Sequence, residues 1–175
     1  MRAQKLLNDA YAQVLAEVER ALDGLSKSDL LKQPDPDSNS IGWLVWHLTR
    51  IQDFGISKLA GEKQLWITEG WHKKFKRKAD PRDVGSGHDS AEVAAFQVPD
   101  AETLLGYLRA VAKRTEKYIN SLSAADLDRK VEDSYFKPPP SVCAYLIGVL
   151  SDNLQHAGQA GYVRGLLKGK GWQPY

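Results

Sequence analysis

The chain has 175 residues and a mass of 19.5 kDa, within the roughly 100–200 residues that one core usually organises. Hydrophobic residues make up 42% and charged residues 26%, which excludes the low-hydrophobicity profile of a disordered chain. The 24 Lys and Arg against 22 Asp and Glu leave a formal charge of +2, too balanced for a nucleic-acid-binding protein judged by bulk charge.

A single domain over residues 1–175 is expected. At this size folding buries roughly 70% of the extended chain's surface, so no staples are required. Cys143 is the single cysteine, which excludes an intrachain disulfide. The first residues, Met1 to Lys5, lead into an amphipathic stretch broken by polar residues, not an apolar signal core. No apolar run approaches the roughly 18 residues of a membrane-spanning helix. The expectation is a reduced, cytoplasmic protein with neither a membrane nor a nucleic acid as partner.

Along the chain, Leu7, Tyr11, Val14, Leu15, Val18, Ala21 and Leu22 recur at three- and four-residue steps, the period of an amphipathic helix stopped by Gly24. A short turn over residues 26–31 leads to Pro34 and Pro36, which cannot sit in a helix interior. Asn39 or Ser40 then caps a second helix from about Ile41 to Leu59, ended by Gly61. Its stripe reads Leu44, His47 or Leu48, Ile51, and Phe54 or Gly55. From Glu62 to Pro99 the helical period fades, and a long lid or binding loop is expected there. Asp100 caps a third helix, with Leu104, Leu108, Val111, Thr115, Tyr118 and Leu122 on one side. A polar connection over residues 123–137, with one helical turn near Ala125 to Leu127, leads to Pro138, Pro139 and Pro140. Ser141 then caps a fourth helix whose stripe reads Tyr145, Val149, Asp152, His156, Ala160 and Val163. No strand period occurs. Four long helices with one apolar stripe each must bury those stripes on one another, which predicts an all-α four-helix bundle.

Asp152 and His156 stand four apart and share a face of the fourth helix. His47 interrupts the stripe of the second helix in the same way. An inward carboxylate without a partner costs several kcal/mol, on the order of the penalty for an unpaired buried charge. Its partner is a cation shared with the two imidazoles, a direct bond to His156, or solvent at the bundle mouth. Two His and one carboxylate have the number and type of an open divalent site, in which a water or substrate fills the remaining position. The long connection carries the basic run Lys73, Lys74, Lys76, Arg77 and Lys78, read either as a solvated surface or as an anion-binding rim. His72 reads as an exposed residue. His88 is the candidate for substrate contact or proton transfer. Cys143 reads as a small buried hydrophobe and not a nucleophile. Trp46 is assigned to core packing, Gln159 to a hydrogen bond behind His156, and Arg164 to a charge at a helix C-terminus. Arg50 either faces the cavity or pairs with an acid.

The segment Asn39-Ser40-Ile41-Gly42-Trp43-Leu44-Val45-Trp46-His47-Leu48, with Arg50 and Asp53, resembles the second helix of the DinB-like superfamily. Residues Asp152 to Ala160 resemble its fourth-helix signature. The turn Gly85-Ser86-Gly87-His88 and the run Tyr162 to Leu167 are similar to an actinobacterial, mycothiol-transferase-like branch. The resemblance covers nearly the whole chain. It implies a four-helix bundle, commonly a homodimer, with a divalent metal held by His47, Asp152 and His156. Zinc is the first expectation, with nickel or manganese as alternatives. Many relatives carry His or Glu where this chain has Asp152. The branch also implies a low-molecular-weight thiol as cosubstrate, activated at the metal and transferred to a small electrophile. In that reading Lys73, Lys74 and Lys76 contact the cosubstrate. A non-enzymatic metal- or ligand-binding bundle and a metal-dependent hydrolase are the rival functions. A dimer is also expected because Trp43, Leu44, Trp46, Leu48 and Ile51 nearly encircle the second helix.

Overall fold

A computed structural model describes residues 3–132 and 136–173. Among the described residues the architecture is all-α, without a strand. Four long helices, α1 (Ala3–Leu22), α3 (Ile41–Ala60), α7 (Ala101–Ser121) and α9 (Val142–Lys168), form the bundle. Short helices fill the connections: α2 (Lys27–Leu31), α4 (Leu65–Thr68), α5 (Trp71–Lys74), α6 (Ser90–Ala94) and α8 (Ala124–Asp128). Helix α3 packs against α9 and α7, and α1 closes the bundle against the same two.

The bounds follow local chemistry. Ser40, Asp100 and Ser141 each accept a backbone N–H from the first turn of α3, α7 and α9, satisfying donors that have no partner inside the helix. Gly61 ends α3 in the left-handed region at φ 67°, where glycine lacks the Cβ clash. Residues 26–31 form more than a turn, because Ser26 and Asp29 make a reciprocal capping box that starts α2.

The core lies in two apolar layers. One gathers Val14, Val18, Leu44, Trp46, Leu48, Leu108 and Val111 with residues of the long connection. The other gathers Tyr11, Ile56, Leu59, Ile119, Leu146 and Val149. Between them, at the intermediate helical positions, Gln52 donates to Thr115 (2.8 Å) and pairs with Asn153 (2.6 Å). Buried amides joined in this way avoid the desolvation penalty of unpaired polar groups.

Two expectations are corrected. The Glu62–Pro99 connection is not a structureless loop: it contains α4, α5 and α6, and its Trp66, Phe75, Phe96 and Val98 are buried in the first core layer. That segment is what covers the extra apolar face of α3, whose residues from Ile41 to Arg50 are all buried within the chain. The encirclement of α3 is therefore satisfied without a second subunit. The stripe of α9 is also rotated from the expected one. Its buried residues are Val142, Leu146, Val149, Asn153, Ala157, Ala160 and Val163, so Asp152 and His156 sit on the border of that stripe. The amphipathic period alone could not locate this border, because Ile147, Leu154, Tyr162 and Leu166 are apolar yet exposed.

Candidate metal centre

His47 on α3 and Asp152 and His156 on α9 converge where the two helices pack, with one ligand atom from each lying within 4.8 Å of the others. The Nε2 of His156 is 3.6 Å and that of His47 is 4.0 Å from Asp152 Oδ2. Both separations exceed hydrogen-bond length. The side chains are graded in exposure, at 7% for His47, 18% for His156 and 32% for Asp152. The group thus has a closed side at α3 and an open side along α9.

Both imidazoles are held from behind. His47 Nδ1 contacts the Val84 carbonyl, and His156 Nδ1 pairs with Gln159 Oε1 at 2.7 Å. An oxygen acceptor at Nδ1 places the proton there and leaves Nε2 with a bare lone pair, as a metal-ligating imidazole requires. Burial pushes the pKa of His47 down, with the Val84 bond and Asp152 opposing. His156 is pushed up, chiefly by the neighbouring Asp152 carboxylate, against its burial.

The donor set fits a divalent ion. Ligands about 2.0–2.2 Å from a tetrahedral ion lie roughly 3.3–3.6 Å apart; the 3.6 Å pair is already at that spacing, and the 4.0 Å pair closes by roughly 0.4–0.7 Å. Asp152 Oδ1 is shielded from solvent and has no hydrogen-bond partner among the described residues. Such an oxygen is unfavourable without a cation or donor.

A layer of rings backs the group. The Trp43 indole stacks on His47 at 4.7 Å and 9° and meets His156 edge-on at 6.5 Å. Its Nε1–H donates to His88 Nδ1 at 3.1 Å. His88 in turn stacks on Trp46 and has Nε2 3.9 Å from Asp83 Oδ1. Asp83 receives two bonds from Arg77, at 2.7 and 3.0 Å. Gly85 lets the chain pass close by: at φ 86°, its ideal Cβ would lie 2.7 Å from Trp46 and 3.2 Å from His47 Nδ1.

The remaining candidates separate. Arg77 from the basic run turns inward, over Trp46 and Phe96. Lys73, Lys74 and Lys76 are exposed. Lys74 covers the Trp71 ring, which packs on Tyr107 and Gly106 of α7, so its contact leads toward α7 and not to the α3–α9 seam. His72 is half-buried, with Nδ1 on the Trp66 carbonyl at 2.8 Å, which corrects its reading as an exposed residue. Arg164 does meet a helix C-terminus, but that of α1: it donates to the Ala21 and Asp23 carbonyls at 2.8 and 2.6 Å. Cys143 is partly buried against the second core layer. Sequence reasoning missed Trp43 and the Val84 carbonyl as neighbours of His47. Trp43 lies four residues before His47 on one helix, a signal that was available. The carbonyl had none.

A groove of about 340 Å³ runs beside Gln159, lined by Leu44, Ser38, Asn39, Tyr162, Val163 and Leu166 among others. A larger open groove of about 840 Å³ lies between α4 and α7, and neither groove is lined by any of the three converging residues.

An all-α bundle with two imidazoles and a carboxylate converging between two of its long helices defines the class. The chain belongs to the DinB superfamily, whose sequence profile matches residues 10–160. It is similar to a conserved protein from Enterococcus faecalis known from a crystal structure, with 27% identity and a TM-score of 0.88 over 97% of this chain and 99% of that one. Among curated proteins none matches.

Proposed function

We propose that the chain is a divalent-metal-dependent enzyme that uses a small external thiol, with His47, Asp152 and His156 as the metal ligands. The observation that carries the reading is the pair of imidazoles with Nδ1 engaged and Nε2 directed at a carboxylate. A bound zinc, nickel or manganese ion supplies Lewis acidity there and favours thiolate over thiol at neutral pH. The protein's own part is positional. Val84 and Gln159 hold the imidazole tautomers, Asp152 contributes the one negative charge, and the Trp43 ring keeps water from the α3 side. The groove beside Gln159, which bonds His156, is the nearest place for an electrophile to dock. With Cys143 on the second core layer, the thiol comes from outside. His88 enters this reading as the anchor of the Trp43 indole. A hydrolase draws less support, since the Nδ1 that a general base would use accepts the Trp43 N–H. A mycothiol-like thiol is the first to screen.

The test is metal stoichiometry by elemental analysis and calorimetry. Wild-type protein should bind close to one ion per chain, and His47→Ala or His156→Ala should lose most of it. Protein that stays metal-free after incubation with zinc, nickel and manganese would overturn the reading. Metal without turnover, across several thiols and a generic electrophile, would favour the non-enzymatic alternative.

A homodimer is part of the same proposal and rests on α9, not on α3. Ile147, Leu154, Tyr162 and Leu166 are exposed on that helix, at 47–71%, and Gly158 and Gly165 leave open space among them. Exposed apolar side chains beside glycines suit close helix-to-helix approach.

A further inference from the structure

Arg50 lies on the same helix as His47, one turn on, and is fully buried. A buried guanidinium demands partners for all its donors. Its charge faces Asp53 at 3.7 Å and lies over the Trp66 ring at 4.5 Å. Its donors go mostly to one stretch of backbone: Nε to the Asp83 carbonyl at 3.0 Å, and Nη2 to those of Pro81 and Asp80 at 3.2 and 3.4 Å. Nη1 takes Gln64 at 2.8 Å and the Tyr107 hydroxyl at 3.1 Å, and Gln64 itself donates to the Pro81 carbonyl at 3.0 Å. The next carbonyl along the chain, that of Val84, is the one His47 Nδ1 contacts.

We propose that Arg50 is a positioning residue for His47: by binding the carbonyls of residues 80, 81 and 83 it sets the Val84 carbonyl that fixes the His47 tautomer. Gln64 on the Pro81 carbonyl, Arg77 on the Asp83 carboxylate and Trp43 on His88 also tie the turn down, but it is Arg50, on the His47 helix itself, that binds three of the backbone carbonyls leading up to Val84. Residues 78–83 form no helix, and the Val84 N–H bonds only locally, to Arg82 at 2.9 Å. The functional consequence rests on the metal-ligand reading of His47, but the positional claim does not.

The test uses Arg50→Lys, which keeps a positive charge opposite Asp53 but cannot bridge several carbonyls at once. The readout is the ¹⁵N spectrum of the His47 ring in metal-free protein, with metal affinity measured separately. Wild type should show a single Nδ1–H form. The variant, with helicity retained, should show a mixture of tautomers and bind metal about 10–100-fold more weakly. A folded variant that keeps the single Nδ1–H form would overturn the proposal. A wild-type chain that binds no metal would sink the function proposed above and leave the tautomer result to decide this one. Should Arg50→Lys fail to fold, the pair R50Q with D53N removes both buried charges together and is read in the same way. Should both fail, native-state hydrogen exchange on the wild type decides. The Arg50 Nε–H and His47 Nδ1–H should exchange through one opening with the same denaturant dependence, and separate openings would overturn the proposal.

Discussion

Gly85 and Gly87 form a matched pair for testing how tightly the 80–88 turn is pressed onto the site. Both have φ of 86°, so alanine at either position meets the same left-handed strain, about 1–2 kcal/mol. Gly87 has nothing within 4 Å of an added Cβ, whereas at Gly85 that atom would lie 2.7 Å from Trp46, 3.0 Å from Trp43 and 3.2 Å from His47. These three neighbours are rings in a packed layer and cannot swing away as a flexible chain end would. Overpacking of this kind costs about 1–3 kcal/mol beyond the backbone term. For a chain of this length each kcal/mol corresponds to about 2–4 °C. Gly85→Ala should therefore melt roughly 2–12 °C below Gly87→Ala. Circular dichroism melts of the metal-free variants give the first number, and calorimetric titration the second: Gly85→Ala should also weaken metal binding, with Gly87→Ala close to wild type. Equal melting points and equal affinities would refute the claim that the turn bears on the His47 ring.

Asp152→Asn should weaken metal binding, because an amide is a poorer ligand than a carboxylate, and Asp152→Glu should recover it; calorimetry on both variants checks this. In metal-free protein the Asp152 carboxylate raises the pKa of His156, so its stabilisation is present below the unfolded value of about 6.5 and is lost as pH rises through the folded value. The stability deficit of Asp152→Asn should accordingly be largest on the acid side and fade above it, with an NMR titration showing the His156 midpoint moved to lower pH. Arg164→Ala removes two charge-assisted bonds to the end of α1 and should destabilise by about 1–3 kcal/mol in denaturant melts while metal content stays unchanged. Light scattering should give twice the mass of one chain, and Leu154→Glu or Tyr162→Glu should return it to 19.5 kDa; a wild-type monomer across micromolar concentrations would remove the dimer.

Much of the bundle was legible in the sequence because its determinants are local. Ser40, Asp100 and Ser141 mark helix starts through bonds to N–H groups three residues ahead, and Gly61 marks an end through its own φ. The three converging residues were legible too, since two share a face by spacing and the third breaks a stripe. What surrounds them was not. The path of residues 62–99 across α3 depends on Trp66, Phe75 and Phe96 finding a common layer with Trp46, and a single aromatic carries no address in sequence. The same holds for the Val84 carbonyl: every residue has one, and only tertiary packing selects which meets an imidazole. Whether α9 turns Asp152 fully inward was likewise settled by packing, because apolar residues lie around its circumference and burial goes to the side that α1 and α3 cover. Local periodicity therefore determined the helices and which residue types converge, while long-range contact decided their Nδ1 partners, exposure and the closed side of the group.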